Sequence, residues 1–173
     1  MTSYFLSSFR PLNINKQGRK AITTLGLLPY VDGSCRREPD FESAFPSISA
    51  ICHAGKFAPR LEEDDAIIFI TVKDKYPPLD FRHWRLVSIL KVIKRFETHQ
   101  EAKEWYLSKK LPLPSNCMVE ENKPLPLEMT TWPKPYYKYK KINDPNRIIS
   151  IWDKQYRDRV QKYGTFLICA PNS

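Results

Sequence analysis

The run Ala66-Ile67-Ile68-Phe69-Ile70-Thr71-Val72 narrows the possible folds more than any other stretch of the chain. It is almost wholly apolar, rich in β-branched residues, and free of charge, glycine and proline. The acidic turn Glu62-Glu63-Asp64-Asp65 precedes it, and a proline-containing loop from Lys75 to Asp80 follows. A run with these bounds reads as a strand buried on both faces. Such a strand needs neighbours on either side and cover above and below, so a sheet with further layers must form around it.

Those neighbours can be read along the chain. Tyr4 to Phe9 reads as a first strand, closed by Arg10-Pro11. A long strand runs from Trp84 or Arg85 to about Phe96. There Leu86, Ser88 and Leu90 alternate against Val87, Ile89 and Lys91, as in a curved barrel strand. Thr165 to Cys169 reads as a last, buried strand. Ala21 to Leu28 is apolar and reads as a strand or short helix, limited by Gly26 and Pro29. Residues 30–46 look irregular around the turn Asp32-Gly33, and Pro46 to Cys52 reads as the start of a short helix capped by Ser47.

Two helices are better marked. Thr98-His99-Gln100-Glu101 is a capping box, opening a helix to about Lys109 with Ala102, Trp105 and Tyr106 on one face. His99, in its first turn, is expected to be exposed. Asp144-Pro145 opens another helix, with Ile148, Trp152, Tyr156 and Val160 as one apolar stripe and Gly164 as its stop. Strands outnumber helices and do not alternate with them. The fold class is therefore α+β: a mixed β-barrel flanked by helices, one domain over 1–173, with a proline-rich arm at about 110–135 packed over it.

Composition supports a folded chain. Hydrophobic residues make up 42% and aromatics 13%, enough for a core, and fifteen prolines against five glycines imply stiff connections. No segment approaches the roughly 20 apolar residues that span a bilayer, and the N-terminus reads as a strand rather than a signal peptide. No membrane association and a cytoplasmic location are expected. Cys35, Cys52, Cys117 and Cys169 form no CxxC pair, so free buried thiols are expected and no metal site. No phosphate-cradling glycine loop, GxSxG or HExxH occurs, and no cofactor is expected.

The net charge of +9 is unevenly placed. Residues 1–37 carry six bases and one acid, residues 38–81 nine acids and four bases, and residues 132–173 nine bases and three acids. If the two ends meet, they form a cationic face suited to a phosphate backbone, so DNA or RNA is the expected partner. His83-Trp84-Arg85 sets an indole between cations, where a base can stack while Arg85 meets phosphate. Trp132-Pro133-Lys134-Pro135-Tyr136-Tyr137-Lys138-Tyr139-Lys140 interleaves aromatics and lysines more densely, with Trp132, Tyr136, Lys138 and Lys140 as contacts. Glu38, Asp40 and Glu42 alternate along an extended segment and could act as acid and base; Asp40, Glu42 and His53 are the catalytic candidates. His53 neighbours Cys52, Lys56 and Arg60, which resemble a binding edge.

Three stretches taken together carry a family resemblance. They are Arg37-Glu38-Pro39-Asp40-Phe41 with Pro46-Ser47-Ile48-Ser49; Phe57-Ala58-Pro59-Arg60-Leu61 leading through Asp65 to Ile67–Thr71; and Arg85–Val92 followed by Phe96, Glu101-Ala102 and Trp105-Tyr106. This order resembles the PUA-like superfamily, which includes the EVE, ASCH and YTH domains. More narrowly it is similar to nucleotide-modification-associated domains found near phage and bacterial base-modification genes. The likeness covers about 37–106, and Asp64 stands where those domains usually have a turn glycine. It implies a pseudobarrel whose pocket receives a flipped, often modified, base. By position the lining would include the segment from Ser47 through Ser49 to His53, Arg60, and the strand start Trp84-Arg85; by residue type, the Asn116 amide suits a base edge, and Lys56 is a further expected nucleic-acid contact. The leading expectation is a non-catalytic reader of such bases. A base-modifying enzyme and a protein-interaction module in a phage or defence context are the alternatives.

Overall fold

The computed structural model describes residues 2–131 and 144–171. Its main sheet has five strands in the order β1-β3-β6-β7-β2. They are β1 (Tyr4–Phe9), β2 (Ser47–Ser49), β3 (Ala66–Thr71), β6 (Leu86–Phe96) and β7 (Phe166–Cys169). A two-stranded hairpin, β4 (Asp74–Lys75) with β5 (Arg82–His83), projects between β3 and β6. Among the described residues three α-helices join the sheet, α1 (Lys16–Leu25), α2 (His99–Ser108) and α3 (Pro145–Lys162), with short 3-10 turns between elements.

β1 runs parallel to β3, and the other neighbours in the sheet are antiparallel. The curl of the sheet originates in β6. Its first half pairs with β3 and its second with β7, and the register slips once against each partner, at Phe69/Ile70 and at Val92/Lys94. Each slip bends the strand and adds twist, so the sheet wraps into a half-barrel with β1 and β2 as its two unjoined edges. Residues 38–41 and 52–57 fill the seam between them. Phe41 packs edge-on against Phe9 and Phe69 at 5.5 and 5.3 Å, and Phe57 packs against Phe5 at 6.2 Å.

β7 shows why its sequence is unbroken by polar residues. Leu167 and Cys169 face the barrel core with Phe9, Ile48, Ile67, Phe69, Leu90 and Val92. Phe166 and Ile168 face the opposite way, onto Ala102 and Tyr106 of α2 and Cys117 and Val119 of the proline-rich arm. The arm crosses the barrel and returns, with Leu125 N–H donating to the Cys35 carbonyl and Thr131 N–H to that of Gly33.

Asp64 takes the left-handed backbone expected of a turn glycine, at φ 74°, and its carboxylate meets Lys91 at 2.8 Å. Aspartate is among the few residues that tolerate this conformation.

Of the strand or short helix read at Ala21–Leu28, Ala21–Leu25 form the end of helix α1, which begins earlier, at Lys16; Asn15 caps it by accepting from Gly18 N–H, and the polar first turn hides that start. Two local expectations are corrected. Ser47–Ser49 is a strand rather than the start of a helix, because β7 supplies a pairing edge and the segment is buried throughout. His99 is 3% exposed, not solvent-facing. Its Nδ1 accepts from Met118 N–H at 2.9 Å, its ring packs edge-on against Phe166 at 4.9 Å, and burial pushes its pKa down to about 3.

The His99 shift has a stability consequence. The unfolded imidazole takes up a proton near pH 6.5 while the folded one resists, so stability falls as pH drops below that value. Urea unfolding of the wild type is expected to weaken by on the order of 2 kcal/mol between about pH 6.5 and pH 5. A His99→Gln variant, which keeps an acceptor for Met118 N–H, should lose most of that slope.

Candidate functional site

The segment Asp32–Glu42 lines the seam, and its charged residues are tied to the interior. The Arg36 side chain is fully buried: Nε donates to Asp153 Oδ1 at 2.6 Å, Nη1 to the Ser115 carbonyl and Nη2 to the Asn122 carbonyl, both at 3.1 Å. Arg37 is equally buried. Its Nε donates to Glu42 Oε2 at 2.9 Å, Nη1 to the carbonyls of Asp32 and Ser34, and Nη2 to that of Met129. Two of the six N-terminal bases counted toward a cationic face are therefore interior struts, out of reach of any phosphate.

Glu38 sits at the centre. Ser49 N–H donates to Oε1 at 2.9 Å, while Ser49 Oγ and Asn116 Nδ2 donate to Oε2 at 2.7 and 3.0 Å. Asn116 is itself held by Ser47, whose Oγ donates to Oδ1 at 2.8 Å. Ser47, Ser49 and Asn116 thus converge as expected of a shared site, but what they hold is the Glu38 carboxyl. All three hydrogen bonds favour the ionised carboxylate; burial outweighs them and pushes its pKa up to about 8. Asp32 is shifted in the same direction by burial, against hydrogen bonds from Ser34 and the Glu38 N–H.

A cavity of about 200 Å³ opens beside these carboxyls, between residues 32–38 and α3. Asp32, Ser34, Glu38, Ile51, Cys52, Trp152, Tyr156 and Arg159 line it. Tyr156 is buried, whereas Asp32, Ser34, Cys52, Trp152 and Arg159 are partly exposed, so the mouth faces solvent. Arg159 is fixed by donating to the Ile51 carbonyl. A smaller cleft of about 10 Å³ on the barrel side of Glu38 touches Ser7, Ser49, Cys52 and His53, room for about one water. The backbone here is held in unusual shapes. Arg37, His53 and Ala54 all have positive φ, at 33°, 48° and 54°, and such residues cluster at functional sites. Gly55 follows at φ 77°, where a Cβ would lie 2.2 Å from the Tyr163 ring.

The catalytic candidates separate. Asp40 caps the backbone, accepting from Glu42 and Ser43 N–H on Oδ1 and from Ser115 on Oδ2. Glu42 is the partner of Arg37. His53 lies near Glu38 in the small cleft, with Nε2 3.3 Å from Ser7 Oγ. Lys56 and Arg60 are exposed along the following turn. Trp84 and Arg85 lie after the β4–β5 hairpin, apart from the residues lining this cavity; Trp84 is 56% exposed, and Arg85 stacks on Tyr30. The candidates Trp132, Tyr136, Lys138 and Lys140 lie outside the described residues. Reading the chain alone marked Glu38 only as one of three alternating acids, Asp32 as a turn residue, and Trp152 and Tyr156 as a core stripe. A tyrosine hydroxyl within an apolar stripe was the available clue.

Burial pushes the thiols of Cys35, Cys52 and Cys117 up to about 12, so they are protonated at neutral pH and poor nucleophiles. Among the described residues no group of three or more His, Cys, Asp or Glu could hold a metal ion, and no helix is long and apolar enough to cross a membrane. A larger cleft, about 800 Å³, is lined by Leu28–Val31, Phe41 and residues 86–89 of β6. It is mostly apolar, whereas the smaller cavity gathers two carboxyls, a cation and two aromatic rings, the mixture that orients a ligand. Comparison with known families, curated proteins and solved structures finds no match for this chain.

Proposed function

We propose that the chain is a nucleic-acid-binding module that takes one nucleobase of DNA or RNA into the cavity between residues 32–38 and α3. The observation that carries this reading is the pairing of carboxyls with an aromatic wall. Asp32 and Glu38 offer polar edges while Trp152 and Tyr156 offer ring surface. A cavity of about 200 Å³ suits a single ring system, being below the roughly 300–1,000 Å³ of pockets for drug-sized ligands. Both carboxyls have raised pKa values, and Glu38, at about 8, is mostly neutral near pH 7. Its neutral acid neither repels a phosphate backbone nor lacks a donor for a base edge. Arg159 is the cation that lines the cavity; elsewhere along α3, Lys154 pairs with Asp158 and Arg157 with Asp153, while Arg147 and Lys162 add to the helix's basic charge.

Fluorescence anisotropy with labelled single-stranded DNA and RNA tests the reading. Affinity should fall steeply with added salt, as contacts from Lys and Arg release counterions. Trp152→Leu keeps an apolar side chain but removes the stacking face, and should weaken binding by roughly five- to a hundredfold. Absence of salt-sensitive binding to either polymer would overturn the proposal.

One observation favours a second reading, a base-modifying enzyme: a buried carboxyl near pKa 8 is suited to general acid–base work. Glu38→Gln separates the two. Turnover of a bound nucleotide that disappears while binding survives identifies an enzyme.

A further inference from the structure

The β4–β5 hairpin leaves unusually large apolar side chains in solvent. Phe81 is 61% exposed and Trp84 56%, with Leu79 at 42% between the strands. Solvent exposure of this kind adds nothing to folding; the Phe81 ring packs on His83 at 5.2 Å, and exposed apolar surface held in place marks interaction sites. The hairpin is nevertheless well braced. Asp74 pairs with His83 and Lys75 with Arg82; Tyr76 is buried and donates to the Val72 carbonyl; His83 Nδ1 lies 2.9 Å from the Phe81 carbonyl. The rings are therefore presented on a fixed support.

Cations accompany the rings. Lys73 Nζ lies 4.6 Å from the centre of the Trp84 ring, and the Arg85 guanidinium 5.3 Å from that of Tyr30. Arg82 is exposed and donates to the Lys73 carbonyl. Aromatic faces beside cations fit a polymer that alternates planar bases with phosphates.

The backbone connects this platform to the candidate cavity. Tyr30 packs on Tyr76 of the hairpin at 6.1 Å. Two residues later, Asp32 bridges to Pro11 and lines the cavity. Residues 29–33 pair with 10–13, which continue β1 beyond Phe9. Hairpin and cavity thus lie at the same end of the half-barrel, joined through a stretch only three residues long.

We propose that Phe81 and Trp84 form a stacking platform for unpaired nucleotides flanking the base in the Asp32–Glu38 cavity, with Lys73, Arg82 and Arg85 meeting the intervening phosphates. This inference rests on the function proposed above. It makes the preferred ligand single-stranded, or locally opened, over several nucleotides.

Ligand length separates platform from cavity. Labelled oligonucleotides of roughly four and roughly twelve nucleotides, within the site sizes of single-strand binding domains, are titrated by anisotropy into wild type, Phe81→Ala/Trp84→Ala and Trp84→Phe. Both positions are exposed, and an unchanged thermal midpoint verifies the fold. The double variant should lose roughly ten- to a hundredfold affinity for the longer strand while the shorter one binds as before. Trp84→Phe should retain most of the longer strand's affinity. Unchanged binding of both lengths would overturn the platform and leave the cavity reading standing. Equal loss for both lengths would also overturn it, since the rings would then belong to the base site itself. Wild-type failure to bind either length would overturn both proposals. Trp84-dependent binding to anionic phospholipid vesicles, with oligonucleotide binding unaffected, would reassign the hairpin to a lipid surface.

Discussion

Replacing Arg36 by methionine is expected to remove about 3–5 kcal/mol of unfolding free energy, the usual cost of breaking a buried ion pair from one side. The guanidinium joins three parts of the chain: its own loop, the proline-rich arm at Ser115 and Asn122, and α3 at Asp153. Methionine replaces the aliphatic stem but none of the donors. Two carbonyls then lose the Arg36 donor, and Asp153 keeps the partly exposed Arg157 at 3.1 Å. Urea denaturation at neutral pH reads the loss as a lower midpoint with a similar slope. Arg36→Met combined with Asp153→Leu should recover part of the stability, because the second change removes the stranded carboxylate. No recovery would mean that the arginine acts mainly through the Ser115 and Asn122 carbonyls.

Glu38 provides the second large effect, and it is seen in pH rather than in loss of contacts. Its carboxyl titrates at about 8 in the fold against 4.5 ordinarily. Between those values the folded chain holds a proton that the unfolded chain has released, so stability must fall as pH rises through the interval. The decline should total on the order of 4 kcal/mol, with the raised Asp32 adding in the same sense. Below about pH 6.5 His99 acts in the opposite direction, so the interval from there to about 8 isolates the carboxyls. Glu38→Gln cannot ionise and should flatten the profile in that interval. Its amide fits the same place if the Asn116 amide turns over, because both Ser47 and Ser49 hydroxyls can accept as well as donate. An unchanged slope in the variant would show that Glu38 titrates normally and is not desolvated.

Much of the scaffold was legible in the sequence because its signals are local. β1 matches the strand read at Tyr4–Phe9, the Thr98–Glu101 capping box opens α2, and Asp144 caps α3 by accepting from Asn146 N–H. β3, the strand that most constrained the fold, is buried or partly buried at every position. The misread elements depend on distant partners. Ser47–Ser49 is a strand because β7, more than a hundred residues later, pairs with it. His99 is buried because Met118 and Phe166 close over it.

The site was harder to read for the same reason. Ser47, Ser49 and Asn116 could be picked out by type and position, but their joint task of holding Glu38 requires contacts across up to 78 residues. Asp40 and Glu42 carried the right chemistry in sequence yet are bound to backbone amides and to Arg37. Charge counting misjudged Arg36 and Arg37, since an arginine's sign is visible in sequence and its burial is not.

The proposed function requires a nucleobase to enter the space between the Asp32 and Glu38 carboxyls and the α3 rings. Photocrosslinking of a 5-iodouracil-substituted single strand, followed by peptide mapping, addresses this most directly. The expected result is a covalent adduct on Trp152 or Tyr156, reduced in Glu38→Gln and competed by unlabelled strand. Adducts confined to peptides remote from residues 32–38 and α3, with those two rings unmodified, would contradict it.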